Sequence, residues 1–208
     1  MKEKQDNFPD LVRLMEKLRS KDGCPWDREQ THKSLLPYLI EEAYEVVDTI
    51  EAGDDERLKE ELGDLLLQII FHAQIAREER RFDIQGVIDY LNDKLKARHP
   101  HVFGGKKTSS SEEVLRNWEH IKLTAQKDKN KSVLSGIPRH IPALLAAYRV
   151  QEKVSRVDFD WKNTNDVFSK IEEEIDELKK ASLKKMKKGR VEDEMGDILF
   201  SWVNLARH

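Results

Sequence analysis

Two short acidic strings recur in this chain. Glu41-Glu42-Ala43-Tyr44-Glu45 is followed by Glu61-Leu62-Gly63-Asp64, and Glu173-Glu174-Ile175-Asp176-Glu177 is followed by Glu194-Met195-Gly196-Asp197. Glu42 to Glu174 and Glu45 to Glu177 are both steps of 132 residues, while Glu61 to Glu194 and Asp64 to Asp197 are both steps of 133. This is an internal duplication, and one connecting turn absorbs the extra residue. Residues three apart on a helix project from the same side, so Glu42 with Glu45 and Glu61 with Asp64 form two carboxylate pairs. Antiparallel helices would bring the pairs together. Four converging carboxylates repel one another unless cations neutralise them, and hard oxygen ligands suit Mg2+ or Mn2+. Such ions keep some waters and take phosphate oxygens as further ligands, which points to a phosphorylated substrate. A single EExxE is ordinarily a solvated helical face. Here the acids come in paired motifs, the pairing recurs, and they sit beside apolar positions rather than alternating with Lys at four-residue spacing.

The elements that must carry these acids read as helices. A first helix is expected after Pro9, with Leu11, Leu14, Met15 and Leu18 on one side, stopping at Asp22-Gly23 before a CPWD loop. The next is expected from near Thr31 to about Glu51, ended by Gly53 and Asp54, and a third from about Asp55 to Arg80. That third helix carries a main apolar stripe of Leu58, Leu62, Leu65, Leu66, Ile69, Ala73 and Ala76. A second stripe of Leu67, Phe71 and Ile75 makes it apolar on two sides, so it is central or lies at a dimer interface. A helix over Ile84 to Arg98 should end at HPHVFGG, and Ser110 with Glu113 has capping-box spacing for a helix holding Trp118 and Ile121. After a linker, helices are expected from Pro142 to about Val157, from Asn165 to Lys188 and from Arg190 onward, with a DFDW loop between the first two. The domains implied are 1–128 and 139–208, joined by a linker at 129–138. The fold class is all-α.

With 38% hydrophobic and 37% charged residues, the composition is helix-rich and soluble. The net charge is −3, so no overall positive field argues for a nucleic-acid polymer as partner. Cys24 is the only cysteine, which excludes an internal disulfide and fits a reducing compartment. No apolar run reaches the roughly 20 residues of a membrane helix, and no signal-peptide core opens the chain. The expectation is a cytoplasmic protein without membrane association.

The paired motifs, together with GCPWD at 23–27, EELGDLL at 60–66, KLKARHPHVF at 94–103, WEHIK at 118–122, FDW at 159–161 and EDEMGDILF at 192–200, make the chain resemble the MazG family. The resemblance covers nearly the whole chain. It implies a dimer of helical bundles of the four-helix type that converts nucleoside triphosphates, with Mg2+, to the monophosphate and pyrophosphate, removing noncanonical or surplus nucleotides. The family's metal ligands fall on Glu42, Glu45, Glu61 and Asp64, and again on Glu174, Glu177, Glu194 and Asp197. Glu41 and Glu173 are supporting acids by the same resemblance, and the proton acceptor stays open among the ligands and these two. Asn92, Lys94 and Arg98 stand where the family's basic helix meets the triphosphate, and their chemistry suits phosphate. Lys170 and Arg190 flank the second acidic set in a comparable way. The lysines at 179, 180, 184, 185, 187 and 188 read as solvated charge.

Trp26 and Trp161, in the loops before the two EExxE helices, either stack on a base or anchor a core. His99 and His101 have a spacing that could bind a metal, although the two carboxylate sets already account for the ions, and Cys24 reads as structural. The second repeat stops 11 residues after Asp197, from 197 to 208, where relatives continue with a helix bearing Asn, Lys and Arg. On that basis the second set holds metal but binds nucleotide weakly, and the first set, Glu41, Glu42, Glu45, Glu61 and Asp64, is the expected catalytic one. Two other readings share these acids. One is a narrower pyrophosphatase for dUTP or dCTP. The other is a noncatalytic regulatory or interaction protein that binds Mg2+ or nucleotide as a sensor.

Overall fold

The structure, a computed structural model, describes residues 7–105, 110, 113–115, 117, 118, 121, 132–183 and 187–208. Residues 129–131 of the expected linker, and Lys184 and Lys185 of the lysine run, lie outside them. The chain divides into two compact units, Met1–Lys96 and Ala97–His208. Every element among the described residues is helical.

In the first unit, α1 spans Phe8–Leu18, α2 Pro25–Glu29, α3 Leu36–Ala52 and α4 Asp55–Glu78, and α5, Ile84–Arg98, begins there. Helix α1 opens with a reciprocal cap, in which the Asp10 amide donates to Asn7 Oδ1 and the Asn7 amide to Asp10 Oδ2, both at 3.2 Å. It stops at Leu18, four residues before the expected Asp22. The Cys24 amide donates to the Leu18 carbonyl at 2.8 Å, and only glycine allows that approach, because a Cβ at Gly23 would lie 2.1 Å from the same oxygen.

The expected CPWD loop is instead the start of α2, with Pro25 at its first turn, where a missing N–H costs nothing. Helix α3 starts at Leu36 rather than near Thr31, because Thr31 and Ser34 close a turn of their own. Each amide donates to the other's hydroxyl, at 2.9 and 3.1 Å.

Between α3 and α4 the chain reverses at Gly53, which has φ +67° and so occupies the left-handed region that ends helices. Asp54 then caps α4, accepting from the Arg57 amide at 3.1 Å. Helix α4 packs on α3 and α1. Its second stripe is covered inside the unit: Phe71 and Ile75 are buried with Met15, Leu35 and Ile70, and Leu11, Leu66, Leu67 and Ile84 pack around them. Leu62 and Ile69 of the main stripe remain exposed, as do Leu36, Ile40, Tyr44 and Val47 along α3.

The second unit contains the short α6 (Pro100–Phe103), α7 (Ala143–Ser155), α8 (Thr164–Leu183) and α9 (Lys188–Arg207). HPHVF, read as a helix breaker, thus forms one turn of its own, with His99 edge-on to Trp118 at 4.9 Å. The Glu113 amide donates to Ser110 Oγ at 3.2 Å, one half of the expected capping box. Helix α9 packs on both α8 and α7. Val167, Ile171 and Ala181 are the buried apolar side chains of α8.

Candidate active site

The reversal at Gly53 sets the register of the first acidic set. Glu45 and Glu61 stand eight residues before and after that glycine, and Glu42 and Asp64 eleven before and after. Antiparallel helices of equal rise must therefore bring Glu45 level with Glu61 and Glu42 level with Asp64. One oxygen from each of Glu42, Glu45 and Glu61 lies within 4.8 Å of the others. Burial, then the charge of Asp64, then that of Glu45 and a hydrogen bond with it, and the charge of Glu61, hold the Glu42 carboxyl above its ordinary pKa. All four expected acids thus interact. Arg57 lies 3.6 Å from Glu61 and only partly offsets them. Glu41 is exposed.

The second set assembles in the same way from α8 and α9. Oxygens of Glu174, Glu194 and Asp197 lie within 4.8 Å of one another, and Glu177 is hydrogen-bonded to Glu194. Two cations are laid against them. Lys170 Nζ is 2.7 Å from Glu174 and 3.0 Å from Glu173, and these bonds, Glu174 first, hold its pKa above the usual lysine range. Arg190 is 2.5 Å from Glu194 and 3.7 Å from Glu177. Glu194 is only 2% exposed, and its Oε2 is buried with no hydrogen-bond partner. An ionised oxygen sealed from water needs a cation or a donor to offset its desolvation.

Both donor sets fit a divalent ion. Oxygens around an octahedral Mg2+ at about 2.1 Å stand roughly 3 to 4 Å apart, so the carboxylates need only a small closure. Three carboxylates within 4.8 Å of one another, one of them bearing an orphaned buried oxygen, are otherwise repulsive.

The second set has a space beside it. In the second unit, a pocket of about 670 Å³ opens between α7, α8, α9 and the loop ahead of α8. Glu174, Asp197 and Lys170 line it at the acidic set; Val150, Val154, Val167, Phe200 and Trp161 supply apolar wall, and Gln151, Asn204, Asp160 and Arg207 add polar groups. Asp158, at φ +61°, turns the chain so that Phe159–Trp161 closes over it. Burial alone would raise the Asp160 pKa. The Arg207 hydrogen bond, the Trp161 amide, and the charges of Arg207 and His208 outweigh it and hold the carboxylate below its ordinary value.

In the first unit the position corresponding to Asn204, by the same step of 133, is Phe71, which is 3% exposed. Trp26 meets that ring edge-on at 6.4 Å and Tyr38 at 6.0 Å, and the Arg19 guanidinium lies 5.3 Å from the Phe71 centroid. Phe71 is thus buried in the first unit at the position where Asn204 lines the pocket of the second.

A match to the MazG nucleotide pyrophosphohydrolase domain covers residues 30–103. Over 207 residues the chain is 51% identical to the "Nucleoside triphosphate pyrophosphohydrolase/pyrophosphatase MazG" of Thermotoga maritima, with 100% of this chain and 78% of that protein covered. The chain belongs to the MazG family. It is also 46% identical over 201 residues to the "Nucleoside triphosphate pyrophosphohydrolase" of Escherichia coli, covering 95% of this chain and 76% of that one. A third relative, "Uncharacterized protein YabN" of Bacillus subtilis, is 41% identical over 200 residues, 96% of this chain and 41% of its own length.

The matched MazG segment contains the first acidic set together with Asn92, Lys94 and Arg98. Asn92 is exposed on α5, Lys94 lies with Nζ 6.0 Å from the Tyr90 ring, and Arg98 is half-buried. Trp26 sits on the aromatic cluster of its own unit, whereas Trp161 lines the pocket. Sequence reading passed over Gln151, Asn204 and Arg207, which bear no motif, and gave Asp160 of the FDW string no role. The exchange of Phe71 for Asn204 between the repeats is the one signal that marks them. It also passed over His32 and His72, whose rings stack at 5.0 Å with their Nδ1 atoms 2.8 Å apart. No described helix of this MazG chain is long and apolar enough to cross a membrane.

Proposed function

We propose that this chain is a nucleoside triphosphate pyrophosphohydrolase that yields nucleoside monophosphate and pyrophosphate, with Mg2+, or Mn2+ in its place, held by the carboxylate sets. The observation that carries this is the pocket in the second unit, whose wall includes Glu174, Asp197 and Lys170 at one end and apolar side chains beyond them. That gradient suits a nucleotide, phosphates at the acids and base against Trp161. The names of the relatives support the same chemistry.

In the reaction a water oxygen bonds to the α-phosphorus, the bridging bond to the β-phosphate breaks, and its electron pair leaves with pyrophosphate. The water's proton passes to a carboxylate of the set. Lys170 and Arg190, drawn onto Glu174 and Glu194, are within reach to neutralise phosphate charge. A bound divalent ion supplies charge stabilisation at the phosphoryl oxygens and lowers the pKa of water. Glu174, Glu177, Glu194 and Asp197 would hold it, and Glu42, Glu45, Glu61 and Asp64 would hold the equivalent ion in the first unit. Asn92, Lys94 and Arg98 supply further contacts to the triphosphate, and Glu41 and Glu173 support the ligands.

We further propose a homodimer through the α3 and α4 surface, where Leu36, Ile40, Tyr44, Val47, Leu62 and Ile69 are exposed together. The reaction would clear noncanonical or surplus nucleotides in the cytoplasm.

The test is pyrophosphate release from a mixture of nucleoside triphosphates with and without Mg2+, for the wild type, Glu194→Gln and Glu42→Gln. Metal-dependent release that falls at least 100-fold in Glu194→Gln is expected. Release that persists in Glu194→Gln and vanishes in Glu42→Gln would move the chemistry to the first unit. No release from the wild type would reject the hydrolase.

A further inference from the structure

The loop that brings Trp161 to the pocket is tied down through Asp160. Phe159 is 76% exposed and Trp161 42%, so neither aromatic ring of the loop is sunk in a core. Asp158, at φ +61°, sits in the left-handed region, which a non-glycine residue keeps only where its surroundings impose it. Two residues further on, Asp160 Oδ1 accepts from the Trp161 amide at 2.9 Å and from Arg207 Nη2. The side chains of Asp160 and Arg207 are 26% and 12% exposed, so this charge-assisted bond is largely shielded from water. Arg207 Nη2 also donates to Asn204 Oδ1 at 3.0 Å, about one turn earlier on α9, which fixes the guanidinium, and His208 Nε2 lies 3.3 Å from the same Asp160 oxygen. One carboxylate oxygen thus joins the backbone of Trp161 to the helix that carries Glu194 and Asp197.

Along the two ExxD helices the step of 133 places Gln74 where Arg207 stands. Gln74 is buried and donates Nε2 to Glu78 of its own helix at 2.9 Å. A neutral amide cannot form the ion pair, so the pair belongs to the second unit. We propose that Asp160 and Arg207 are positioning residues for the base: Arg207 holds the Asp160 carboxylate, and that carboxylate holds Trp161 where its ring stacks on the base of a nucleoside triphosphate. This rests on the reading of the pocket as the nucleotide site. The phosphates are drawn to Lys170 at the acidic set, so the pair should matter for a ligand that has a base and not for one that lacks it.

Calorimetry with Mg2+ compares α,β-methylene-ATP, whose bridging carbon resists cleavage, with inorganic tripolyphosphate, which has no base. The proteins are the wild type, Arg207→Met, Asp160→Asn, Trp161→Ala and the double variant of Arg207→Met with Trp161→Ala. Wild type should bind the nucleotide about tenfold or more tighter than tripolyphosphate, within the range that one base–aromatic stack supplies. Arg207→Met should lose about tenfold in nucleotide affinity and keep its tripolyphosphate affinity within about twofold, which also shows that the site is folded. Asp160→Asn keeps the shape of the side chain and should give the same result, so the test stands even where Arg207→Met fails to fold. In the Trp161→Ala background, Arg207→Met should change nucleotide affinity by less than about twofold, because the ring it positions is gone. A parallel loss of both ligands would assign the pair to phosphate binding or to general stability and overturn the proposal, as would a full effect of Arg207→Met without Trp161. A wild type that binds neither ligand rejects the nucleotide site and the proposal with it. Binding in the expected pattern without pyrophosphate release from ATP rejects only the hydrolase and upholds the positioning role.

Discussion

Replacing Asn204 with Phe should trade nucleotide binding for stability. The substitution puts into the second unit the side chain that Phe71 supplies at the corresponding position of the first, where it is 3% exposed. Fully burying a phenylalanine contributes about 1.5 to 3 kcal/mol. The change removes the hydrogen bond from Arg207 Nη2 to Asn204 Oδ1, 3.0 Å long and worth about 1 kcal/mol, while Arg207 keeps its bond to Asp160. A cavity of about 670 Å³ leaves room for the ring, so no overpacking cost enters. The net expectation is a gain of about 1 kcal/mol, read as a raised urea midpoint at unchanged slope in nucleotide-free protein followed by circular dichroism. ATP affinity in the presence of Mg2+, by calorimetry, should fall at least tenfold because the ring occupies the ligand's space. A variant that binds ATP as the wild type does would refute the assignment of this pocket. A lowered midpoint would refute the claim that the two repeats differ here by a filled against an open core.

Arg19→Met should destabilise the chain by about 2 kcal/mol in the same urea assay. It removes a side chain only 6% exposed that bonds Glu78 at 2.7 Å and the Gln30 carbonyl at 3.2 Å, and the half-exposed Glu78 can rehydrate. Burial first, and then the neighbouring His32, hold the His72 pKa below the ordinary histidine value, so the unfolded chain takes up a proton there before the folded one does. Stability should therefore be complete above about pH 6.5 and decline as pH falls from there through the lower folded value. A His72→Leu variant that keeps the full acid slope would show that the slope arises elsewhere. Ile40→Glu, at the centre of the exposed α3 stripe, should shift light-scattering mass from dimer to monomer at micromolar concentration. An unchanged mass would reject that face as the interface.

The paired acids and their recurrence were legible because helical periodicity and sequence spacing alone place residues three apart on one face. The reversal at Gly53-Asp54 was legible too, since a left-handed glycine followed by an aspartate cap is local chemistry. With these, the antiparallel register and the convergence of Glu42, Glu45, Glu61 and Asp64 follow by counting. Helix ends were less legible wherever a turn just beyond the helix competed for its backbone groups. Leu18 ends α1 because Gly23 folds back onto its carbonyl, and α3 starts late because Thr31 and Ser34 bond to each other. Tertiary packing also covered Phe71 and Ile75 within one unit, leaving the unburied apolar surface on α3 and on Leu62 and Ile69 of α4.

The pocket lay furthest beyond the sequence. Gln151, Asn204 and Trp161 come from two helices and a loop with no shared spacing, and a cavity exists only where side chains from separate segments fail to fill the space between them. The sequence by itself determined which carboxylates meet, because that depends on helix geometry and one turn. Only the tertiary structure decided that a pocket opens beside the second acidic set, because that depends on the volumes of side chains brought together from across the fold.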